Sequence, residues 1–361
     1  MRFARLEISY FRNLSSVALE LNPGLNFFYG ANGAGKTAVL EAVHLLGRGR
    51  SFRTHRARTL IQHDAETLTV RATVEDEQRG AQSVAISKNL VGHTELKING
   101  LTERRLSEAA RLVPLQVMLP DIAELVFGGP QIRRQWLDWG TFHVKPEYLR
   151  SLREYLRILK QRNAALKLAH SDLEPWTTQL VQAAEIVDAH RVDYLKAFVP
   201  EFEHTIGRLA PELAISLVYR RGWPDGESLD KVLGEWGLRE VKSGATQAGP
   251  HRADIELRVG ASKASAVLSR GQGKTIASAL KVGQARLLAE SARRSSVFLI
   301  DDVGAELDES HNSRFFEMLE EMGCQILATS TQKPVNANPF TGERINVFHV
   351  EHGKVHRSAN G

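Results

Sequence analysis

The segment Gly30-Ala31-Asn32-Gly33-Ala34-Gly35-Lys36-Thr37 constrains this chain more than any other. It follows the unbroken apolar run Leu25 to Tyr29, which reads as a buried strand. It precedes Val39, Leu40, Val43 and Leu46, which recur at helical spacing. A strand, a glycine loop and a helix in that order build a cradle for phosphate. The glycines let backbone N–H groups turn inward, and the helix N-terminus adds its own N–H groups and dipole. Gly30, Ala31, Asn32, Gly33, Ala34, Gly35, Lys36 and Thr37 are the expected ATP-binding residues, with Lys36 on the β and γ oxygens and the Thr37 hydroxyl on Mg²⁺. A second triplet of this kind, Gly273-Lys274-Thr275, has Leu268 where the first glycine would have to stand.

A further apolar strand, Val297-Phe298-Leu299-Ile300, ends in Asp301-Asp302. A carboxylate at the end of a buried strand is how a phosphate loop gains a second partner for Mg²⁺. Asp301 is the expected metal ligand beside Thr37. Asp302 is the candidate to orient or deprotonate an attacking water, because a metal-bound Asp301 cannot easily serve both roles. The expected catalytic set is thus Lys36, Asp301 and Asp302. Taken alone, the two acids also read as an ordinary strand end followed by an acidic helix cap.

Elsewhere the periodicity changes by region. Phe3, Leu6 and Ile8, then Val17, Leu19 and Leu21, alternate as strands do, and from Glu66 to Ile98 the alternation returns, with Asn99-Gly100 as a hairpin turn pair. After Pro120 long helical spacing takes over, through Leu149, Leu152, Tyr155, Leu156 and Leu159, then Trp176, Leu180, Ala183, Val187 and Tyr194. These predict a helical hairpin with arms of roughly 20 to 28 residues, jointed and capped at Ser171-Asp172. The last third alternates helix and strand: Ile276 to Ala292, Val297 to Ile300, Asn312 to Met322, Gln325 to Ala328, then a hairpin over Asn346 to His356. That order predicts a parallel sheet.

Composition narrows the function. The chain has 361 residues, 42% hydrophobic and 25% charged, with a net charge of +5 that suits anionic partners. Its single cysteine, Cys324, excludes a disulfide framework and a cysteine-based zinc site. Apolar runs such as Leu112 to Leu119 fall well short of a membrane span, and Arg2, Arg5, Glu7 and Arg12 break any signal-peptide core, so cytoplasmic residence is expected. Dehydrogenase, serine-hydrolase and zincin motifs are absent. His349 and His352 fit an exposed strand better than a metal site, and Trp136, Trp139 and Trp176 fit a core.

Leu268-Ser269-Arg270-Gly271-Gln272-Gly273 resembles the signature motif of the ABC-type ATPases, and Glu306-Leu307-Asp308 resembles their D-loop. Serine and glycine at a helix start form an anion site. The phosphate loop does not need it, so a dimer that sandwiches ATP is implied, with Ser269, Arg270, Gly271 and Gln272 reaching the nucleotide of the other subunit and Asp308 beside the interface. The wide separation of Lys36 from Ser269 and the helical insert point to the SMC-like branch. Within it the chain resembles the RecF family over essentially its whole length. The resemblance is carried by Phe11-Arg12-Asn13, Gly30 to Thr37, Gly49-Arg50-Ser51-Phe52-Arg53, Arg133-Arg134 with Leu137-Asp138, Lys160-Gln161-Arg162-Asn163, Gly249-Pro250-His251-Arg252, Ser269 to Gln272 and Leu299 to Asp308.

That resemblance implies an α/β fold, an ABC-type, SMC-like ATPase head with mixed sheets around the phosphate-loop helix plus a mainly helical second lobe. The expected ATPase lobe is 1–118 with 275–361, and the helical lobe 119–274, with its hairpin at about 147–199. Arg12 and Asn13 join the expected ATP contacts, and Gln116 is a candidate for the glutamine of the lobe-linking loop. Asp302 stands where most relatives have glutamate, and Ser330-Thr331 where many have a switch histidine, so slow, DNA-stimulated hydrolysis is expected. Arg48, Arg50, Arg53, Arg56 and Arg58 are candidate DNA contacts, non-specific in sequence; a solvated loop with scattered ion pairs is the other reading of this run. The implied function is an ATP-driven homodimer that clamps duplex or gapped DNA and helps RecO and RecR load RecA at single-strand gaps. A transporter ATPase subunit and a non-hydrolysing ATP-binding head are the rivals.

Overall fold

Residue alternation along the first hundred positions becomes an antiparallel sheet in a computed structural model of the chain. The structure describes residues 1–54, 56–76, 80–168, 173–303, 309–333 and 344–358. Strands β1 (Arg2–Phe11) and β2 (Leu14–Glu20) are followed by β3 (Leu25–Tyr29) and helix α1 (Lys36–Arg48). Then come β4 (Thr67–Asp76), β5 (Gly80–Asn89), β6 (Thr94–Ile98), β7 (Leu101–Glu103), α2 (Leu106–Leu112) and β8 (Leu115–Met118). The first sheet has the order β2-β1-β4-β5-β6-β7, every pair antiparallel. Asn99 and Gly100, at φ 52° and 80°, close the β6–β7 hairpin in the conformation its two-residue turn demands.

The chain then enters α3 (Glu124–Phe127), α4 (Pro130–Val144), α5 (Tyr148–Lys167), α6 (Glu174–Leu209), β9 (Ser216–Arg220), α7 (Leu229–Ser243), β10 (Asp254–Val259), β11 (Ser262–Lys263), α8 (Ala264–Val267) and α9 (Arg270–Ala292). It returns through β12 (Val297–Ile300), α10 (Glu309–Glu321), β13 (Gln325–Ser330), β14 (Ile345–Glu351) and β15 (Lys354–Arg357). A second sheet results, ordered β15-β14-β3-β13-β12-β8, parallel except for β15. Helix α1 is buried nearly all round, and one core joins it to both sheets through Leu6, Val70, Ile86, Val43, Leu299 and Phe348. Two compact units emerge, 1–122 with 288–361, and 123–287. The boundary expected at residue 274 falls inside α9, which is continuous from Arg270.

The second unit is mainly helical, with a small sheet ordered β11-β10-β9. Arg162 of α5 bonds Thr177 of α6, while Arg191 of α6 bonds Tyr148 of α5, so the two helices run antiparallel as a hairpin. Its second arm is longer than expected. Helix α6 has 36 residues and continues through Pro200. A proline inside a helix costs about 3 kcal/mol, but Phe202, Ile206 and Leu209 extend the buried face beyond it. Burying each such side chain contributes about 1.5 to 3 kcal/mol, which outweighs the proline. The expected joint at Ser171-Asp172 lies outside the described residues. Among the described residues no helix is long and apolar enough to cross a membrane.

Two buried arginines organise this unit. Arg162 donates to Thr177 Oγ1 (3.0 Å), Thr246 Oγ1 (2.8 Å) and Glu240 Oε2 (2.7 Å). Arg191 donates to Asp138 (2.8 Å), Tyr148 Oη (3.0 Å) and the Pro250 carbonyl (2.7 Å). Burial works against the charge of Arg191, yet Tyr148 and Asp138 hold its guanidinium above its ordinary value. His251 accepts from Tyr155 Oη at Nδ1 (2.5 Å) and donates from Nε2 to the Thr246 carbonyl (3.0 Å). Burial above all, aided by the positive charges of Arg252, Arg134 and Arg191, pushes His251 down to about 4.

Two stability predictions follow from these groups. Arg162→Met strands Glu240, whose side chain is 0% exposed, and is expected to lower the free energy of unfolding in urea by about 3 to 5 kcal/mol. His251 is neutral when folded but takes a proton below its ordinary 6.5 when unfolded, so stability falls as pH drops from 6.5 toward 4. His251→Gln is expected to flatten that part of the unfolding free energy against pH; an unchanged slope contradicts the assignment.

Candidate nucleotide-binding site

In a parallel sheet the loops at the carboxyl ends of the strands share one edge. The order β3-β13-β12 therefore brings together the phosphate loop after Tyr29, Thr329-Ser330-Thr331 on and after β13, and Asp301-Asp302 after β12. The loop's backbone is held from outside. Asn13 Nδ2 donates to the carbonyls of Gly33 (3.3 Å) and Ala34 (3.0 Å), and the Gly353 N–H donates to Ala34 O at 3.0 Å. Gly30, at φ 155°, passes so close to β14 that a Cβ would lie 2.1 Å from Val350 O. Helix α1 begins at Lys36 with no capping side chain and no acid in its first turn, which leaves its N-terminus suited to an anion.

Lys36 Nζ donates to the carbonyls of Gly30 (2.7 Å) and Ala31 (2.9 Å). Burial lowers its pKa, against the opposing pull of Asp302 and Asp301. The Thr37 hydroxyl donates to Asp301 Oδ1 (2.9 Å), and Thr329 donates to the same oxygen at 2.8 Å. Thr329 Oγ1 also accepts the Asp302 N–H at 2.8 Å. Asp302 sits at φ 65°, a left-handed conformation just past the end of the strand. The hydroxyl of Thr37 and the carboxylate of Asp301 form a hard-oxygen pair of the kind Mg²⁺ takes along with phosphate oxygens and water. The donors present therefore fit a magnesium nucleotide.

A cleft of about 650 Å³ opens over these groups, lined among others by Arg12, Asn13, Lys36, Thr37, Arg53, Asp301, Asp302 and Thr331. That volume lies within the range of small-molecule sites, ~300 to 1,000 Å³. Of the expected phosphate-loop residues, Asn32, Gly33, Gly35, Lys36 and Thr37 line this cleft with both acids, as do Arg12 and Asn13. Arg50, Arg53, Arg56 and Arg58 are exposed. Arg48 is half-buried, and burial, with repulsion from Arg50, pushes it down to about 9. Gln116 is buried on β8.

The expected signature residues belong to the second unit, at the start of α9. Ser269 Oγ accepts the Gln272 N–H (3.2 Å) while Gln272 Oε1 accepts the Ser269 N–H (2.9 Å), a reciprocal helix cap. Arg270 pairs with Glu124 at 2.8 Å and lies 4.9 Å from the Phe127 ring centre. Ser269, Arg270, Gly271 and Gln272 are all exposed. Asp308, the expected D-loop residue, lies outside the described residues. Sequence reasoning gave no role to Thr329, Glu41 or Gly353, and quoted Ser51 only within a motif that carries the family resemblance. Only Glu41 carried a signal, as an acid on the apolar face of α1.

Residues 2–356 match the family model described as "RecF/RecN/SMC N terminal domain". A protein of Pseudomonas entomophila named "DNA replication and repair protein RecF" is 39% identical over 98% of each chain, and one of Pseudomonas putida with the same name is 38% identical over 98% of each. Among solved structures, the recombination mediator protein RecF with ATP, from the RecFOR pathway, superposes with a TM-score of 0.88 at 26% identity, covering 99% of this chain and 97% of that one. An SMC head bound to the C-terminal winged-helix domain of ScpA gives a TM-score of 0.59 at 16% identity over 100% and 98%, a likeness of fold alone.

Gly353 tests the outer brace of the phosphate loop. It sits at φ 74°, and a Cβ there would lie 1.9 Å from Asn13 O. Gly353→Ala is expected to weaken binding of a fluorescent ATP analogue at least ~10-fold, or ~1.4 kcal/mol, because the added Cβ displaces the backbone of Asn13, whose side chain braces the loop. Gly323→Ala, at φ 63° with open space around it, is the control and should leave that affinity within about 3-fold, or ~0.7 kcal/mol.

Proposed function

The chain belongs to the RecF/RecN/SMC N terminal domain family, and on that premise we propose that it is a cytoplasmic ATPase of DNA replication and recombinational repair, in which an ATP-driven dimer clamps DNA. The observation that carries the reading is the pair of acids at the phosphate loop. Asp301 accepts from Thr37 and Thr329, and Asp302 lines the same cleft. When bound, Mg²⁺ would neutralise charge on the transferring phosphate, held through Thr37 and Asp301. Lys36 contacts the β and γ oxygens, and Asp302 orients the attacking water. The shorter acid, and a hydroxyl at Ser330-Thr331, favour slow hydrolysis that times release from DNA.

The exposed helix start at Ser269-Arg270-Gly271-Gln272 supports a dimer in which each signature motif meets the partner's nucleotide, with Asp308 at the interface. Arg50, Arg53, Arg56 and Arg58 supply phosphate contacts that read no base sequence. The relatives' names support a place in replication and repair, and the RecFOR setting supports RecO and RecR as partners; loading of RecA at single-strand gaps is what the family resemblance implies.

Sedimentation velocity with labelled duplex DNA, with and without ATP-Mg²⁺, tests the clamp. ATP is expected to drive a dimer onto DNA, while Lys36→Met and Ser269→Arg stay monomeric. Asp302→Asn should still dimerise but hydrolyse about 10² to 10⁴-fold more slowly. DNA binding that ignores ATP and all three substitutions would overturn the reading. ATP-driven binding without any hydrolysis in the unmodified chain would favour a structural ATP-binding head.

A further inference from the structure

Glu41 lies inside α1 and is completely buried, on a helix whose other buried positions are mostly apolar. A buried carboxylate needs full compensation. Arg12 donates to it twice, Nε to Oε2 at 3.0 Å and Nη2 to Oε1 at 2.8 Å, and the Ser51 hydroxyl bonds Oε1 as well. Ser51 Oγ in turn accepts the N–H groups of Arg53 (2.8 Å) and Thr54 (3.1 Å). From the other side, Arg12 Nη1 donates to the Thr59 carbonyl at 2.8 Å and the Arg12 N–H to Leu60 O at 2.7 Å. One ion pair therefore fastens both ends of the segment that carries Arg53, Arg56 and Arg58.

The same ion pair borders the nucleotide cleft. Arg12 and Arg53 line it, and Arg12 is held at φ 55°, a left-handed conformation uncommon for a non-glycine residue. Three of the five N–H donors on the Arg12 guanidinium are committed to Glu41 and Thr59.

We propose that Arg12, Glu41 and Ser51 couple occupancy of the nucleotide cleft to the presentation of Arg50, Arg53, Arg56 and Arg58 to DNA phosphates, with Glu41 as the positioning residue. The inference rests on the reading of the chain as an ATP-dependent DNA-binding protein and names how that dependence is transmitted. A triphosphate in the cleft competes with Glu41 for the Arg12 charge. Glu41 has no access to water, so any loosening of Arg12 is met by a change at Ser51, and with it at the start of the arginine segment. Coupling of this kind is reciprocal: the factor by which ATP tightens DNA must equal the factor by which DNA tightens ATP.

The test compares the full chain with Ser51→Ala and Glu41→Gln. Anisotropy of a labelled duplex is read with and without a non-hydrolysed ATP analogue across a salt series, and binding of a fluorescent ATP analogue is read with and without duplex. In the unmodified chain the two coupling factors should agree at about 5 to 150-fold, and the salt slope should steepen by ~0.9 for each further phosphate contact engaged when nucleotide binds. In both variants the factor is expected to fall to within about 2-fold of unity and the two salt slopes to coincide; a 2-fold factor is only ~0.4 kcal/mol. ATP affinity without DNA should stay within about 3-fold in Ser51→Ala, which separates lost coupling from a damaged cleft. Full coupling retained in both variants overturns this inference and leaves the clamp standing. Duplex affinity blind to nucleotide in the unmodified chain overturns both.

Discussion

Asp301 accepting two hydroxyls, one from α1 and one from β13, is the interaction on which the site depends. Thr37 reaches it from the helix after β3, and Thr329 from the strand that separates β3 from β12. The register makes this possible: Thr329 pairs with Phe28, and Ala328 with Ile300. A slip of β13 by one residue would turn Thr329 to the other face and leave Asp301, only 9% exposed, without one of its donors. The core that joins α1 to both sheets therefore fixes the chemistry as well as the fold. Thr329 also receives the Asp302 N–H, so one hydroxyl holds the Asp301 carboxylate and the backbone of Asp302.

What could be read from residues was what local spacing encodes. The phosphate loop, its flanking strand and helix, the acid-ended strand and the Asn99-Gly100 turn each announce themselves within a dozen positions, and each stands where the pattern put it. The missing parts of the site come from residues far apart in sequence. Thr329 is one hydroxyl among many until the β3-β13-β12 order is known, and Gly353 is a hairpin glycine until its N–H is seen on Ala34. The length of α6 was hidden for the opposite reason. A strong local signal, Pro200, marks a helix end, and the burial of Phe202 and Ile206 overrides it.

In the second unit, the motifs with no obvious chemistry prove to be structural. Asp138 and Arg162, the first beside Leu137 and the second beside Asn163, are partners in two buried networks that converge on residues 246 to 251. Apolar replacements of such networks are often no less stable, so stability alone does not explain them. A hydrophobic patch would let this segment slide among similar packings. Arginines that each donate to three fixed partners, Arg162 to Thr177, Thr246 and Glu240 and Arg191 to Tyr148, Asp138 and the Pro250 carbonyl, accept a single arrangement.

The nucleotide cleft is assembled from the two ends of the chain. Its floor is residues 30 to 37, its brace is Asn13 with Gly353, and its acids lie beyond an insertion of more than 150 residues that leaves the sheet just past Pro120, itself part of the cleft wall. Closing so long a loop costs only slightly more than closing a short one, because the entropy grows with the logarithm of length. The insertion is tolerated for that reason, and it carries the exposed helix cap at Ser269. Within the first unit, the coupling from cleft to arginine segment uses local parts only, Arg12, Glu41 and Ser51, around a helix buried on nearly every side. A rigid helix suits that task, since a buried carboxylate on a fixed backbone cannot follow a departing partner and must register its loss.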